Sequence, residues 1–235
     1  MQHAGTPVTM AVIAINVIVF LAEISSGSGG LGSVGGTVYD KGALNGYAVA
    51  HLHQYYRLVS SGFLHAGFIH IIFNMYLLYI LGRMLEPTLG SVRFAAIYVA
   101  ALLAGSFGAL LVDPGGAFVD ASGVVHLTGG TVGASGAVFG LMGAAFIELR
   151  RRGVDPMQAG IGGLIAINLV LSFVIPGIAW GGHIGGLIGG GLAALALQVG
   201  DRYRSQLIGV AGCIVIAAVA AVAAISVAGG HGLTG

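Results

Sequence analysis

Charge is what this 235-residue sequence has least of: Asp, Glu, Lys and Arg together make up 7% of it, against roughly a quarter in an ordinary soluble domain. Hydrophobic residues supply 57% and mean hydropathy is +0.97, so water is not the main solvent of this chain. The longest basic run is Arg150-Arg151-Arg152 and the net charge is +1, which excludes the phosphate-neutralising surface of a nucleic-acid binder. Cysteine is nearly absent: Cys213 is alone, allows no intrachain disulfide, and reads as a buried packing residue within an apolar run. A spanning helix takes about 20 apolar residues, so the length is used up by spans and short loops and leaves no room for a second, soluble domain. The first apolar segment follows no Lys or Arg and ends at Glu23 without a small-x-small cleavage pattern, so a retained span is expected rather than a removed leader.

Apolar runs bounded by charge, proline or glycine predict spans near 8–24, 66–85, 92–112, 129–149, 157–175, 178–199 and 206–228. Placing the N-terminus inside puts Arg83, Arg93, Arg150, Arg151, Arg152, Arg202 and Arg204 on inner loops and only Lys41 and Arg57 on outer ones. That asymmetry predicts a cytoplasmic N-terminus and an outer C-terminus. The outer segment 25–57 begins as a flexible Ser25-Ser26-Gly27-Ser28-Gly29-Gly30 run and ends in an interfacial stretch from His51 to Arg57. Between Asp113 and Thr128, Pro114-Gly115-Gly116 and Ser122-Gly123 flank an alternating stretch from Val119 to Val125 and predict a small hairpin.

Glycine is abundant, at 43 residues. Helices in lipid gain little from burying Leu on Leu, and small residues let their backbones approach. The sixth span carries Gly181-Gly185-Gly189 and Gly182-Gly186-Gly190, and the fourth carries Gly129-Gly133 and Gly136-Gly140. These two spans are expected to be close neighbours.

Polar side chains at membrane depth are costly, and each is a candidate functional group: His65, His70, Asn74, Ser135, Asn168 and His183. Ser135 is expected about six residues, or roughly 9 Å, below the outer end of its span, with His183 at a similar depth after Pro176-Gly177. A neutral imidazole within hydrogen-bond reach turns a serine hydroxyl into a nucleophile. Gly133 and Gly136 flank the serine and leave room for a carbonyl. His70 and Asn74, four residues apart on one helix face, are donors suited to a developing oxyanion.

These residues resemble the rhomboid family across nearly the whole chain. The histidine, histidine and asparagine pattern is His65-Ala66-Gly67-Phe68-Ile69-His70-Ile71-Ile72-Phe73-Asn74, the GxSG signature is Gly133-Ala134-Ser135-Gly136, and the histidine in a glycine ladder is Gly182-His183-Ile184-Gly185-Gly186. Tyr56-Arg57 is similar to the family's Trp-Arg pair. The resemblance implies an all-α, polytopic six-helix catalytic core over 1–200 plus a seventh helix and tail over 201–235. It also implies an intramembrane serine endopeptidase that cuts transmembrane segments of membrane proteins near the outer leaflet. By the same resemblance Ser135 is nucleophile, His183 general base and acid, and His70, Asn74 and the Ser135 N–H hold the oxyanion. His65 supports structure, Glu86 closes the second span and stabilises the fold, and no cofactor or metal is called for. Two positions depart from the family: Tyr56 stands for tryptophan, and Phe139 stands where a tyrosine often stacks on the histidine. No acidic third member lies at the level of the pair, so Phe139 and packing are expected to orient His183. Access is expected through the fifth span, with Gly160, Gly162 and Gly163, and the Pro176-Gly177 loop.

Other chemistries fit less of this pattern. Three imidazoles, His65, His70 and His183, suit zinc, but no HExxH is present and a five-residue spacing turns two of them to different helix faces. An α/β-hydrolase elbow needs glycine where Ala137 stands. A transporter accounts for glycine-rich helices and Asn168 but does not require Ser135 and His183 together. A catalytically silent, client-binding relative would ordinarily lack one of the pair.

Overall fold

A computed structural model describes residues 5–27 and 35–229; the Ser28–Gly30 part of the run expected to be flexible lies outside them. The chain is a polytopic helical membrane protein. Among the described residues, five helices are long and apolar enough to cross a bilayer: α1 (Pro7–Ser25), α5 (Phe68–Leu89), α6 (Ser91–Val112), α9 (Trp180–Arg202) and α10 (Gln206–Ala228). Two further helices are shorter, α7 (Ser135–Arg151, 17 residues) and the apolar α8 (Ile161–Val174, 14 residues). The apolar runs at 129–149 and 157–175 are therefore longer than the helices they form. Gly129, Gly130 and Gly133 take positive φ before α7, and Gly160 takes a left-handed φ of 84° before α8, so in both runs glycine stops the helix where hydropathy continues.

The centre is a trio, α6, α7 and α9, with α10 against α6 and α9, α5 against α7 and α6, and α1 against α5. Leu78, Leu81, Leu85, Phe94, Ile97, Val138, Leu141 and Met142 fill the core between them. The glycine rows of α9 divide the work. Gly181 and Gly185 lie on the carbonyls of Gly108 and Ala104 in α6, whereas Gly186 and Gly190 lie on those of Gly136 and Gly140 in α7. The predicted closeness of these two spans is thus a contact of bare backbone on bare backbone. Gly129 and Gly133, expected on the same helix face, precede α7 instead.

From residue 35 on, the segment between α1 and α5 is folded into short helices, including the stretch expected to be interfacial. It forms three short helices, α2 (Thr37–Gly42), α3 (Gly46–His51) and α4 (Arg57–Ser60), and a 3-10 turn (Ser61–Phe63). Arg57, nearly excluded from solvent, donates to the carbonyls of Ala43 (2.6 Å) and Asp40 (2.9 Å) and to Gln54 Oε1 (2.6 Å). Asn45 caps α3 and donates to the carbonyls of Gly116 and Thr128 at the base of a hairpin. That hairpin is the one predicted: β1 (Gly116–Val119) pairs antiparallel with β2 (Val125–Thr128), Val119 facing Val125. At its turn the Ser122 hydroxyl, His126 and the Val124 N–H all bond Asp120 and hold its carboxyl well below the usual range.

Arginines gather at the opposite end of the bundle from Ser135. Arg93 pairs with Asp201 at 2.7 Å, and Arg151 and Arg152 both pair with Glu148. At this end, too, lies Glu86, which does not close α5 but sits inside its last turn, before Pro87. Its carboxylate accepts from the N–H groups of Val8 (2.9 Å) and Thr9 (2.8 Å), the Thr9 hydroxyl (2.6 Å) and the Ser91 hydroxyl (2.7 Å). One buried anion thus caps the N-terminus of α1 and ties α1, α5 and α6 together. Glu86→Gln turns an amide N–H2 towards those donors, and is expected to cost about 2 kcal/mol. Thermal unfolding in detergent checks this as a lowered Tm, with an unchanged Tm counting against the clasp.

Candidate active site

Ser135 is the first residue of α7 rather than six residues into a helix. The six residues before it run outside any helix and are pinned from outside. Leu44 and Thr131 exchange both backbone bonds at 2.9 Å, and the Gly133 N–H donates to the Ser61 carbonyl at 2.9 Å. Gly133 has φ 131°, and a Cβ there would stand 2.8 Å from the His70 ring. No other residue can bring the backbone that near the histidine. As the first residue of α7, Ser135 also has a backbone N–H with no acceptor one turn back, so a donor lies beside its own hydroxyl.

His183 enters from α9, between the two glycine rows. The contact of Gly186 with Gly136 brings the helices close enough for His183 Nε2 to lie 2.7 Å from Ser135 Oγ. Phe139, one turn below Ser135, stacks on the imidazole with centroids 4.2 Å apart and an interplanar angle of 14°. The other face of the problem is Nδ1, which lies 2.6 Å from the hydroxyl of Ser172 in α8. Ser172 in turn donates to the Asn168 carbonyl at 2.6 Å. Ser172 is the group that sequence reasoning missed: a serine in a membrane helix is expected to bond the carbonyl one turn earlier, as this one does, and nothing local announces that its oxygen also meets a histidine. Asn168, singled out for its polarity, donates to Leu164 and serves through its backbone.

His70 Nδ1 accepts the Ala66 N–H at 3.3 Å, which leaves the proton on Nε2, the nitrogen turned towards Gly133. Asn74 is buried and donates one amide N–H to the His70 carbonyl at 3.2 Å, which leaves the other N–H out of that bond. His65 packs edge-on against His70 with centroids 5.1 Å apart, and its backbone N–H donates to the buried carboxylate of Glu23. Sequence alone did not single out Glu23 as a partner of that loop. A cavity of about 30 Å³ lies beside Ser135, lined by Ser61, Gly105, Ser106, Gly133 and Gly182, with room for a water. Among the described residues no three His, Cys, Asp or Glu side chains converge as metal ligands.

The arrangement can pass a proton from a hydroxyl to an imidazole beside two N–H donors, which is what acyl transfer requires. The Rhomboid domain family matches residues 52–199, a range that contains His65, His70, Asn74, Ser135, Ser172 and His183 and ends before α10. The chain is 33% identical over 197 residues to Rhomboid protease GluP of Bacillus subtilis, an alignment covering 83% of this chain and 36% of that one. It is 43% identical over 70 residues to RHOMBOID-like protein 2 of Arabidopsis thaliana (30% and 22% of the two chains). It is also 32% identical over 81 residues to Inactive RHOMBOID-like protein 8 of the same plant (34% and 23%). This chain therefore spans about a third or less of the length of these curated relatives.

Proposed function

The chain belongs to the rhomboid family, and from that premise we propose that it is an intramembrane serine endopeptidase working through Ser135 and His183. The observation that carries the reading is the 2.7 Å approach of His183 Nε2 to Ser135 Oγ, made inside a packed helical core. Ser135 Oγ attacks the scissile carbonyl carbon while His183 Nε2 takes its proton. The oxyanion meets the Ser135 N–H and the Nε2–H of His70. Asn74 gives one amide N–H to the His70 carbonyl, which steadies the turn that carries His70, and its second N–H can join the two donors. The protonated His183 then delivers its proton to the leaving amine, and water, for which the cavity beside Ser135 has room, hydrolyses the acyl-enzyme.

The substrates of this reading are transmembrane segments of other membrane proteins. A helix conceals its own peptide carbonyls, so the segment must unwind locally before attack. The arginine-rich end of the bundle is placed on the cytoplasmic side of the cell membrane, which sets the N-terminus inside, the C-terminus outside and Ser135 towards the outer leaflet. Residues 1–200 then form the catalytic unit, with 201–235 as the added helix and tail. Entry of substrate falls to α8, whose contacts are chiefly with α7 and α9.

The test uses the purified chain in liposomes with a fluorophosphonate and a reporter transmembrane substrate. A single adduct on Ser135, seen by peptide mass, and cleavage that survives a metal chelator are expected. Absence of both across varied substrates overturns the reading in favour of a catalytically silent client binder, and chelator-sensitive cleavage overturns it in favour of a metal enzyme.

A further inference from the structure

We infer that Ser172 of α8 is a positioning residue for His183, accepting a hydrogen bond from its Nδ1–H and so presenting the Nε2 lone pair to Ser135. A hydroxyl has one proton to give. The Ser172 Oγ lies 2.6 Å from the Asn168 carbonyl, a group that can only accept, so the serine proton is spent there. The contact of the same oxygen with His183 Nδ1, also 2.6 Å, is then donated by the ring. With the ring proton on Nδ1, Nε2 is bare, and the Ser135 hydroxyl donates to it at 2.7 Å. Three helices thus contribute one directed chain: Ser135 O–H to His183, His183 N–H to Ser172, Ser172 O–H to the Asn168 carbonyl. Ser172 is 3% exposed and His183 7%, so water does not compete for either bond.

In this chain a neutral hydroxyl holds the place that a carboxylate fills in a triad, fixing tautomer and ring direction without adding a charge inside the membrane. Phe139 restrains the plane of the ring; stacking alone leaves the choice between the two nitrogens open. The location of Ser172 matters as well. It rides on α8, whose Ile167, Val170, Phe173 and Val174 are exposed away from the bundle. When α8 moves aside, Nδ1 loses its acceptor, so the base is set only while α8 is seated.

This inference rests on the protease reading, and the experiment separates the two. The full chain in liposomes is compared with Ser172→Ala, Ser172→Thr and Ser172→Val, valine being the isostere of threonine without the hydroxyl, by kcat and KM on the reporter substrate and by ¹⁵N spectra of the histidine ring nitrogens. His183→Ala identifies the resonances. Ser172→Ala is expected to lower kcat by roughly 10–100-fold with KM within about 3-fold, and to convert the Nδ1–H tautomer of His183 into a mixture. Threonine is expected to restore kcat to within about 5-fold and valine to behave as alanine. Alanine retaining both the native kcat and the Nδ1–H tautomer overturns the inference, as does equal activity of the threonine and valine variants. Should Ser172→Ala not fold, the threonine and valine pair decides. If the native chain neither cleaves nor labels, the protease reading falls, and the ring spectrum alone decides the Ser172–His183 bond.

Discussion

Replacing Ser135 or His183 by alanine is expected to lower reporter cleavage by about 10³-fold or more, because the first removes the attacking oxygen and the second the base that lies within reach of it. The double variant is expected to be no worse than the single ones beyond about 3-fold, since nucleophile and base act as one unit and neither works without the other. Substrate binding depends on neither, so capture of the reporter by the inactive variants should match that by the native chain. Cleavage of the reporter by the Ser135→Ala variant at more than about a tenth of the native rate would place the chemistry elsewhere. Multiplicative losses in the double variant would mean that the two residues contribute independently, which the 2.7 Å contact does not allow.

The second large effect is expected far from any reacting atom. A Cβ placed on Gly186 would fall onto the carbonyl of Gly136, the residue immediately after the nucleophile. Backbone cannot rotate out of the way as a side chain can. Gly186→Ala therefore has to push the first turn of α7 away from α9, and Ser135 moves with it. A displacement of about 1 Å at a reacting group is enough to cost about 10²-fold, and that is the expected loss in kcat. The overpacking itself should lower stability by about 1–3 kcal/mol, visible as a reduced Tm in a protein that still folds. Gly191→Ala, in the same helix, is the control: its Cβ would meet only Ile147, at 4.0 Å, and should leave cleavage unchanged while raising helix propensity. Equal behaviour of the two variants would show that the packing of α9 on α7 does not position the nucleophile.

Hydropathy made the helical membrane architecture legible, because in lipid a spanning segment has to be apolar along most of its length. It could not show where α7 and α8 start, because Gly129, Gly130, Gly133 and Gly160 are apolar by composition and stop a helix by conformation. The glycine rows of α9 were legible for a related reason: spacing by four on one helix specifies a face, and a face without side chains implies a close partner. The order of the segment before α5 was not legible. It comes from long-range backbone bonds, such as those between Leu44 and Thr131, and from Arg57 and Asn45 reaching carbonyls distant in sequence. Ser135, His183, His70 and Asn74 were found through motif spacing, and the structure brings the first three of them together around Gly133. Ser172 escaped because its partner lies across a loop, on another helix. Asn74 was read as a donor to a substrate; one N–H of its amide goes to the His70 carbonyl, and that bond leaves the second unused.

The meeting of α9 with α6 and α7 also bears on heredity. No amino acid is smaller than glycine, so every missense change at the codon for Gly181, Gly185, Gly186 or Gly190 adds atoms where backbone already stands. The partners cannot make room by shrinking, because Gly108, Gly136 and Gly140 are at the same lower limit and Ala104 meets Gly185 through its carbonyl. A lineage carrying this interface thus sits at an edge of sequence space, from which descent by single steps leads only outward. Change at these positions has to travel with a shift of whole helices, and at Gly186 and Gly190 the helix displaced is the one that carries Ser135.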